Sequence, residues 1–213
     1  MSKIVIAYLQ YPISSDSCPC WQALQPLLAW AEQNGIPLQL SQLPAVYKDS
    51  LVKLEQLINH SKPSHLLLVQ QCPSLLQIQL EKVASNVLHS TEADANGIRP
   101  TDALTAQTGP AAYFSNLPLA HIIQAQHQQQ LPVQLSYFAG TAVANHTFYG
   151  LMHFIKHQNT NLYGGLMQVP LLTQQAWQHQ NIASISAELL RQSLQQLVLT
   201  CLNNNNNVLK IPG

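Results

Sequence analysis

Residues 65–70 read HLLLVQ, and residues 3–8 read KIVIAY. Each run is short, β-rich and apolar at consecutive positions, which predicts a strand covered on both faces rather than a half-wet one. A strand of that kind needs helices on both sides of its sheet, and the rest of the chain offers them. Trp21, Leu24, Leu27, Leu28 and Ala31 recur at helical spacing before an Asn34-Gly35 stop. PLQLSQLP (37–44) alternates as a strand. Asp49 is a candidate cap for a helix that carries Leu51, Leu54, Leu57 and Ile58 on one face. Residues 80–88 read as a further strand and 90–110 as a loop, with turn signals at Asn96-Gly97 and before Pro100. Helices are expected over Leu119–Gln130 and from Thr141 to about His157, and strands over VQLSY (133–137) and YGGLMQVPL (163–171). Ile185, Leu189, Leu194, Leu197 and Val198 mark a C-terminal helix, and Asn203–Asn207 a solvated turn or tail. Strands alternating with helices predict a parallel or mixed sheet in an α/β sandwich, one domain over residues 1–213.

Charged residues are 8% of the chain, against roughly a quarter in an ordinary domain, and the formal net charge is zero. Such a surface offers nothing to nucleic acid phosphates or an anionic membrane, and it resists self-association weakly. No apolar run approaches the roughly 20 residues of a membrane helix, and the N-terminal segment lacks the apolar core of a secretory signal. The four cysteines (Cys18, Cys20, Cys72 and Cys201) form neither a CxxC pair nor a disulfide framework. A cytoplasmic location is the expectation.

Chemistry-bearing motifs are few. There is no GxGxxG and no phosphate-binding loop. Cys18 and Cys20 frame a proline with no histidine close by, so a metal site is not indicated there. His153 and His157 stand at the i, i+4 spacing of a zinc pair but lack a third ligand; His121 and His127 flank a Gln run. No cofactor or metal is expected. Residues 139–154 read AGTAVANHTFYGLMHF, a small-residue turn opening into an amphipathic helix. Unpaired N–H groups at such a helix start favour negative charge and often activate a Cys or Ser. Here the candidate slots hold Ala142 and Ala144.

A set of segments in order is more specific: QLPAVYKDS (42–50), EKVASN (81–86), GPAAYFSNLP (109–118), AGTAVANHTFYGLMH (139–153) and GGLMQVPLL (164–172). Together they resemble the pyroglutamyl peptidase I family, the pyrrolidone carboxyl peptidases, over most of the chain. The resemblance implies a three-layer α/β/α sandwich with a mixed, mostly parallel sheet. It also implies a metal-free Cys–His–Glu triad that removes N-terminal pyroglutamate from peptides, and assembly as dimers or tetramers.

Laid on the family's motifs, the Cys position is Ala144, followed by the expected Asn145, and the His position is Gln168, before Val169-Pro170. The acidic position is Glu81, the one member retained. The family's Gly-rich loop ending in Arg aligns with QQCPSLL (70–76), where Gln71 matches the family's Gln and Leu75 stands at the Arg position. The two Phe rings that hold pyroglutamate align with Leu9 and with Tyr11 or Pro12, and the aromatic before the nucleophile aligns with Ala142. A methyl group cannot attack a carbonyl, and a carboxamide does not titrate. The expectation is a catalytically degenerate member that binds a peptide N-terminus or a small amide against Gln71 and Val143, or assembles with further copies of itself. The alternative is an amide hydrolase with a displaced nucleophile such as Cys72, and residual pyroglutamyl peptidase activity is a third.

Overall fold

The computed structural model describes residues 3–10, 18–177 and 180–204. In chain order the elements are β1 (Ile4–Gln10), α1 (Pro19–Leu24), α2 (Pro26–Gln33), β2 (Leu38–Pro44), α3 (Tyr47–Ser61) and β3 (His65–Gln71). Then come β4 (Ile78–Glu81), β5 (Val83–Ser85), β6 (Ala112–Phe114), α4 (Leu119–Gln128), β7 (Val133–Ser136) and α5 (Val143–His157). The chain continues through β8 (Tyr163–Val169), β9 (Leu171–Leu172), α6 (Thr173–Ala176), β10 (Ser184–Ile185) and α7 (Ala187–Asn204).

The main sheet has six strands in the order β2-β1-β3-β8-β4-β7. All neighbours are parallel except β4 and β8, which are antiparallel, so the sheet is mixed and mostly parallel. β1, β3 and β8 are almost wholly buried, as the apolar runs of β1 and β3 require. Side chains alternate between two layers. One joins Ile6, Leu67, Leu80, Met167 and Val169 to α1, α2, α4 and α7; the other joins Ala7, Leu68 and Leu166 to α3 and α5. Helices therefore cover both faces, giving the three-layer sandwich.

The differences from the expected elements have specific causes, some local and some long-range. The helix expected from Trp21 is two helices, because Pro26 lacks the N–H a continuous ladder needs; Gln25 closes one and opens the other. Asp49 is not the cap of α3. Val46 holds that position, Asp49 lies in the first turn, and the N–H of Tyr47 donates instead to Asp94 Oδ2 at 3.0 Å. A cap supplied from 47 residues away has no local signal. The strand expected over 80–88 is two, with β4 in the main sheet and β5 pairing antiparallel with β6. β8 stops at Val169, and Leu171 starts the separate β9. Asn203 and Asn204 finish α7, and the rest of that asparagine run lies outside the described residues.

One contact sets the position of α5. A side chain at Gly164 would meet Ile155 Cδ1 at 2.8 Å and Leu151 Cδ2 at 3.0 Å, so the helix lies close against the strand because that residue has none. Residues 158–162 join the end of α5 to the start of β8, so the two run antiparallel. Four helical residues rise about 6 Å and two strand residues about 6.6 Å. Stepping back from Gly164 by that rule brings Phe148 to the level of Leu166 and Ala144 to the level of Gln168. Gly164→Val is expected to lower stability by about 1–3 kcal/mol through overpacking, measured by urea unfolding. An unchanged midpoint would contradict the close approach.

Candidate functional site

Gly140, at φ 78°, turns the chain into α5. Ala142 is the N-cap, without a side-chain cap hydrogen bond, and the first helical bond runs from the N–H of His146 to the carbonyl of Ala142 at 3.0 Å. The N–H groups of Val143, Ala144 and Asn145 thus stand ahead of the helical ladder. Ala142 is exposed, Ala144 is buried, and Val143 packs with Ala45, Tyr47 and Leu88.

Two polar residues fix this turn. Asn145 is fully buried; its Oδ1 accepts from the N–H of Ser85 at 3.0 Å, and its Nδ2 donates to the carbonyls of Ser85 at 2.9 Å and Val87 at 3.2 Å. It clamps β5 to the helix start. His146 Nε2 lies 2.9 Å from the carbonyl of Tyr47, so that nitrogen carries the proton, and Nδ1 accepts from the Thr105 hydroxyl at 3.0 Å. Burial lowers the His146 pKa, against an opposing pull from the Tyr47 carbonyl. The imidazole is neutral and both its nitrogens are engaged, so its role is structural.

Gln168 and Glu81 share the α5 face of the sheet, since Leu166 lies on that face and the residues between them face the other layer. Gln79 is opposite Gln168 and Glu81 is opposite Leu166, which makes Glu81 and Gln168 diagonal neighbours about 7–8 Å apart. Glu81 is fully buried, and neither carboxylate oxygen has a hydrogen-bond partner among the described residues. Burial raises its pKa; the nearby Ser136 hydroxyl, which bonds the Phe138 backbone, opposes the shift without cancelling it.

Leu9 is buried on the same face. Gln71 is not on it: in β3 it follows Val69 of the other layer, and its amide pairs with Gln175 and accepts from Tyr8. Tyr11 lies outside the described residues. The structure therefore brings Leu9, Glu81, Ala144 and Gln168 together on one face, with Ala142 and Val143 at its rim, and sets Gln71 behind the sheet.

The thiols are dispersed. Cys18 Sγ lies 3.2 Å from the Tyr8 hydroxyl and Cys72 Sγ 3.3 Å from that of Ser74. Cys20 and Cys201 are buried, and burial pushes both thiols up, Cys201 to about 12. Among the described residues no group of three or more His, Cys, Asp and Glu is placed to hold a metal ion. His153 and His157 meet at 4.1 Å between ring centroids with their planes tilted by 45°, beside a cavity of about 310 Å³ between α3 and α5. Sequence reasoning missed Gln70 and Gln79, which flank Gln168 on the neighbouring strands. Only the register reveals them, and a single sequence does not carry register.

A family model for pyroglutamyl peptidase matches residues 12–203. The pyrrolidone-carboxylate peptidase of Escherichia fergusonii is 34% identical over 184 residues, 86% of this chain and 85% of that protein. That of Brevibacillus brevis is 30% identical over 195 residues, 92% of this chain and 90% of the relative. Among solved structures, pyroglutamyl peptidase I of Bacillus amyloliquefaciens superposes with a TM-score of 0.86 at 29% identity, over 95% of this chain and 98% of that one. The pyrrolidone carboxyl peptidase of Thermococcus litoralis, 24% identical, shares the fold with a TM-score of 0.84 over the full length of both chains.

Two substitutions test the local account. Asn145→Ala removes four hydrogen bonds and takes that partner from backbone groups of Ser85 and Val87, with an expected loss of about 1–3 kcal/mol in chemical denaturation. A wild-type midpoint would show that the clamp is idle. Glu81 has a raised folded-state pKa, so its folded form binds the proton more tightly than its unfolded form. Stability from this group is complete below the ordinary value of 4.5 and is lost as pH rises through the folded value. Glu81→Gln is therefore expected to unfold at higher temperature than the parent at pH 7, with the gap closing toward pH 4. A variant less stable than the parent at pH 7 would mean that the carboxylate is paired.

Proposed function

The chain belongs to the pyroglutamyl peptidase family, and from that premise we propose that it is a member without the family's cysteine-based hydrolysis, which keeps the cleft as a binding site for a peptide N-terminus or a small amide. The observation that carries this reading is the pair of buried side chains where the start of α5 meets β8. Ala144 supplies a methyl group where the helix start favours an anion, and Gln168, at the same level on β8, supplies a carboxamide that neither takes nor gives a proton. Among the described residues no imidazole is hydrogen-bonded to Glu81, which shares that face.

A displaced nucleophile needs a base within hydrogen-bond reach. Among the described residues none of the four thiols is hydrogen-bonded to an imidazole: Cys18 meets a phenol, Cys72 a serine hydroxyl, and the other two are buried. Cys18 and Cys72 are the partly exposed thiols, and Cys72, just past the end of β3, is the candidate of the rival reading.

The same reading includes assembly with further copies of the chain. The low charge supports it, as do the exposed Leu76, Tyr137 and Phe138 beyond the ends of β3 and β7. Sedimentation that returns a monomer at all concentrations would remove this part.

Alkylation kinetics separate the two readings of the cleft. With iodoacetamide at neutral pH, read by mass spectrometry, all four thiols are expected to react no faster than a free cysteine. Rapid modification of Cys72, together with turnover of a pyroglutamyl amide that Cys72→Ala abolishes, would establish the displaced nucleophile and overturn the proposal.

A further inference from the structure

The C-terminal half of α5 carries a ladder of rings. Tyr149, His153 and His157 stand at i, i+4 and i+8 and so share one face of the helix. The Tyr149 and His153 rings stack at 6.0 Å between centroids, and the His153 and His157 rings meet at 4.1 Å. Opposite the ladder, α3 presents Leu51, Leu54, Glu55 and Ile58 at i, i+3, i+4 and i+7, the spacing of a single stripe. A carboxylate thus interrupts an otherwise apolar face. The cavity of about 310 Å³ lies between the two helices, lined by this stripe, by the ladder and by Phe154. It is separate from the cleft, because about 14 Å of helix divides His153 from Ala144.

The polar groups at this cavity are open. Among the described residues Glu55 makes no ion pair and no hydrogen bond, whereas Glu188 on α7 pairs with Arg191. His157 makes no hydrogen bond among them either, and His153 is tied through Nδ1 alone, 3.0 Å from the Tyr113 hydroxyl. Burial, and then the neighbouring His157 ring, lower the His153 pKa, so that imidazole is neutral at pH 7. The i, i+4 pair is not a metal site, for no third His, Cys, Asp or Glu joins it among the described residues. No Lys, Arg or Asp lines the cavity, so Glu55 brings a carboxylate that no neighbour offsets. Such a carboxylate beside apolar surface attracts a cation, and more strongly once the body of a ligand displaces water from it.

We infer that the cavity between α3 and α5 binds a small primary amine with a ring-bearing body, its ammonium on Glu55 and its ring between the ladder and the aliphatic wall. The volume lies at the low end of small-molecule sites, about 300–1,000 Å³, which suits one ring and a short chain. Phe154 and the ladder offer the ring offset or edge-on contacts. The ammonium has donors enough for the Glu55 carboxylate and a free imidazole nitrogen of the pair, and it is attracted to the aromatic faces of the same wall. A neutral alcohol of the same shape keeps the ring contacts and loses the charge pair. An acid of that shape meets Glu55 with like charge. The site therefore selects the amine over the alcohol and the alcohol over the acid. Acidification opposes the ligand. The titratable groups around the cavity are Glu55 on α3 and Tyr149, His153 and His157 on α5, with Tyr113 of β6 bonded to His153. Protonating His153 places a positive charge beside the ammonium, and protonating Glu55 removes its partner. The inference is independent of the proposed function, since the cavity and the cleft share no residue.

The test is calorimetric titration of the full chain at pH 8 with three probes of one shape: 2-phenylethylamine, 2-phenylethanol and 3-phenylpropionate. The amine is expected to bind at least about tenfold more tightly than the alcohol, and the acid more weakly than both. Glu55→Gln, at an exposed position, is expected to bring the amine down to the affinity of the alcohol and to leave the alcohol unchanged. His157→Ala, also exposed, removes a ring and not the carboxylate, so it is expected to weaken amine and alcohol alike, by about two- to fivefold. Glu32→Gln, exposed on α2 across the sheet, is expected to change nothing. At pH 5.5 the amine is expected to bind more weakly than at pH 8. Equal affinity for amine and alcohol, amine binding untouched by Glu55→Gln or by His157→Ala, or silence from all three probes would overturn the inference. So would an amine affinity that rises on acidification, or a loss from Glu32→Gln equal to that from Glu55→Gln, which would mark general attraction to the surface.

Discussion

The approach of α5 to β8 at Gly164 is the constraint on which the rest of this site depends. With no side chain there, Leu151 and Ile155 lie against the strand backbone, and the near-equal rise of one helical turn and two strand residues carries that registration upward. Ala144 comes to the level of Gln168 for that reason alone. Asn145 and His146, the next two residues, then tie the turn to β5, to the start of α3 and to the 90–110 loop. The start of α5 is thus held by buried polar contacts to three separate segments, and the cleft can be rigid although its mouth is formed by a small-residue turn.

Electrostatics gives the cleft its character. Helix N-termini favour negative charge, and the α5 start has no side-chain cap to satisfy its N–H groups. Beneath it the sheet presents carboxamides rather than a titrating base, and the one acid on that face, Glu81, is sealed and unpaired. Burial favours the neutral form of Glu81 and the neutral form of His146 alike. On the described part of the sheet this face therefore offers carboxamides and an acid held toward its neutral form, an arrangement unsuited to acid–base chemistry.

Much of the fold was legible in the sequence because its strongest signals are local. The apolar runs at 3–8 and 65–70 and the helical spacing at 51–58 each fall within one element. What stayed hidden is mostly long-range, the break at Pro26 being local but overridden by the apolar spacing. Asp94 caps α3 across the chain, Pro26 divides a helix whose apolar spacing runs straight through it, and the 80–88 run divides between two sheets because β5 pairs with β6 rather than with β7 or β8. The candidate residues at 81, 144 and 168 were found through motif resemblance, and the structure places them on one face. Gln71 came by the same route and lies behind the sheet, because the alternation of a strand separates it from Gln70 by a full side. Gln70 and Gln79 became visible only with register, which is a property of strand pairing and not of any one segment.

The central claim is that the family's cleft persists here without its chemistry. Hydrolysis of a fluorogenic pyroglutamyl amide by the natural protein, beside the double variant Ala144→Cys with Gln168→His, tests it most directly. The account predicts no turnover by the natural chain and measurable turnover by the double variant, because helix start, strand level and Glu81 are already in place. Turnover by the natural protein, abolished by thiol alkylation, would contradict it.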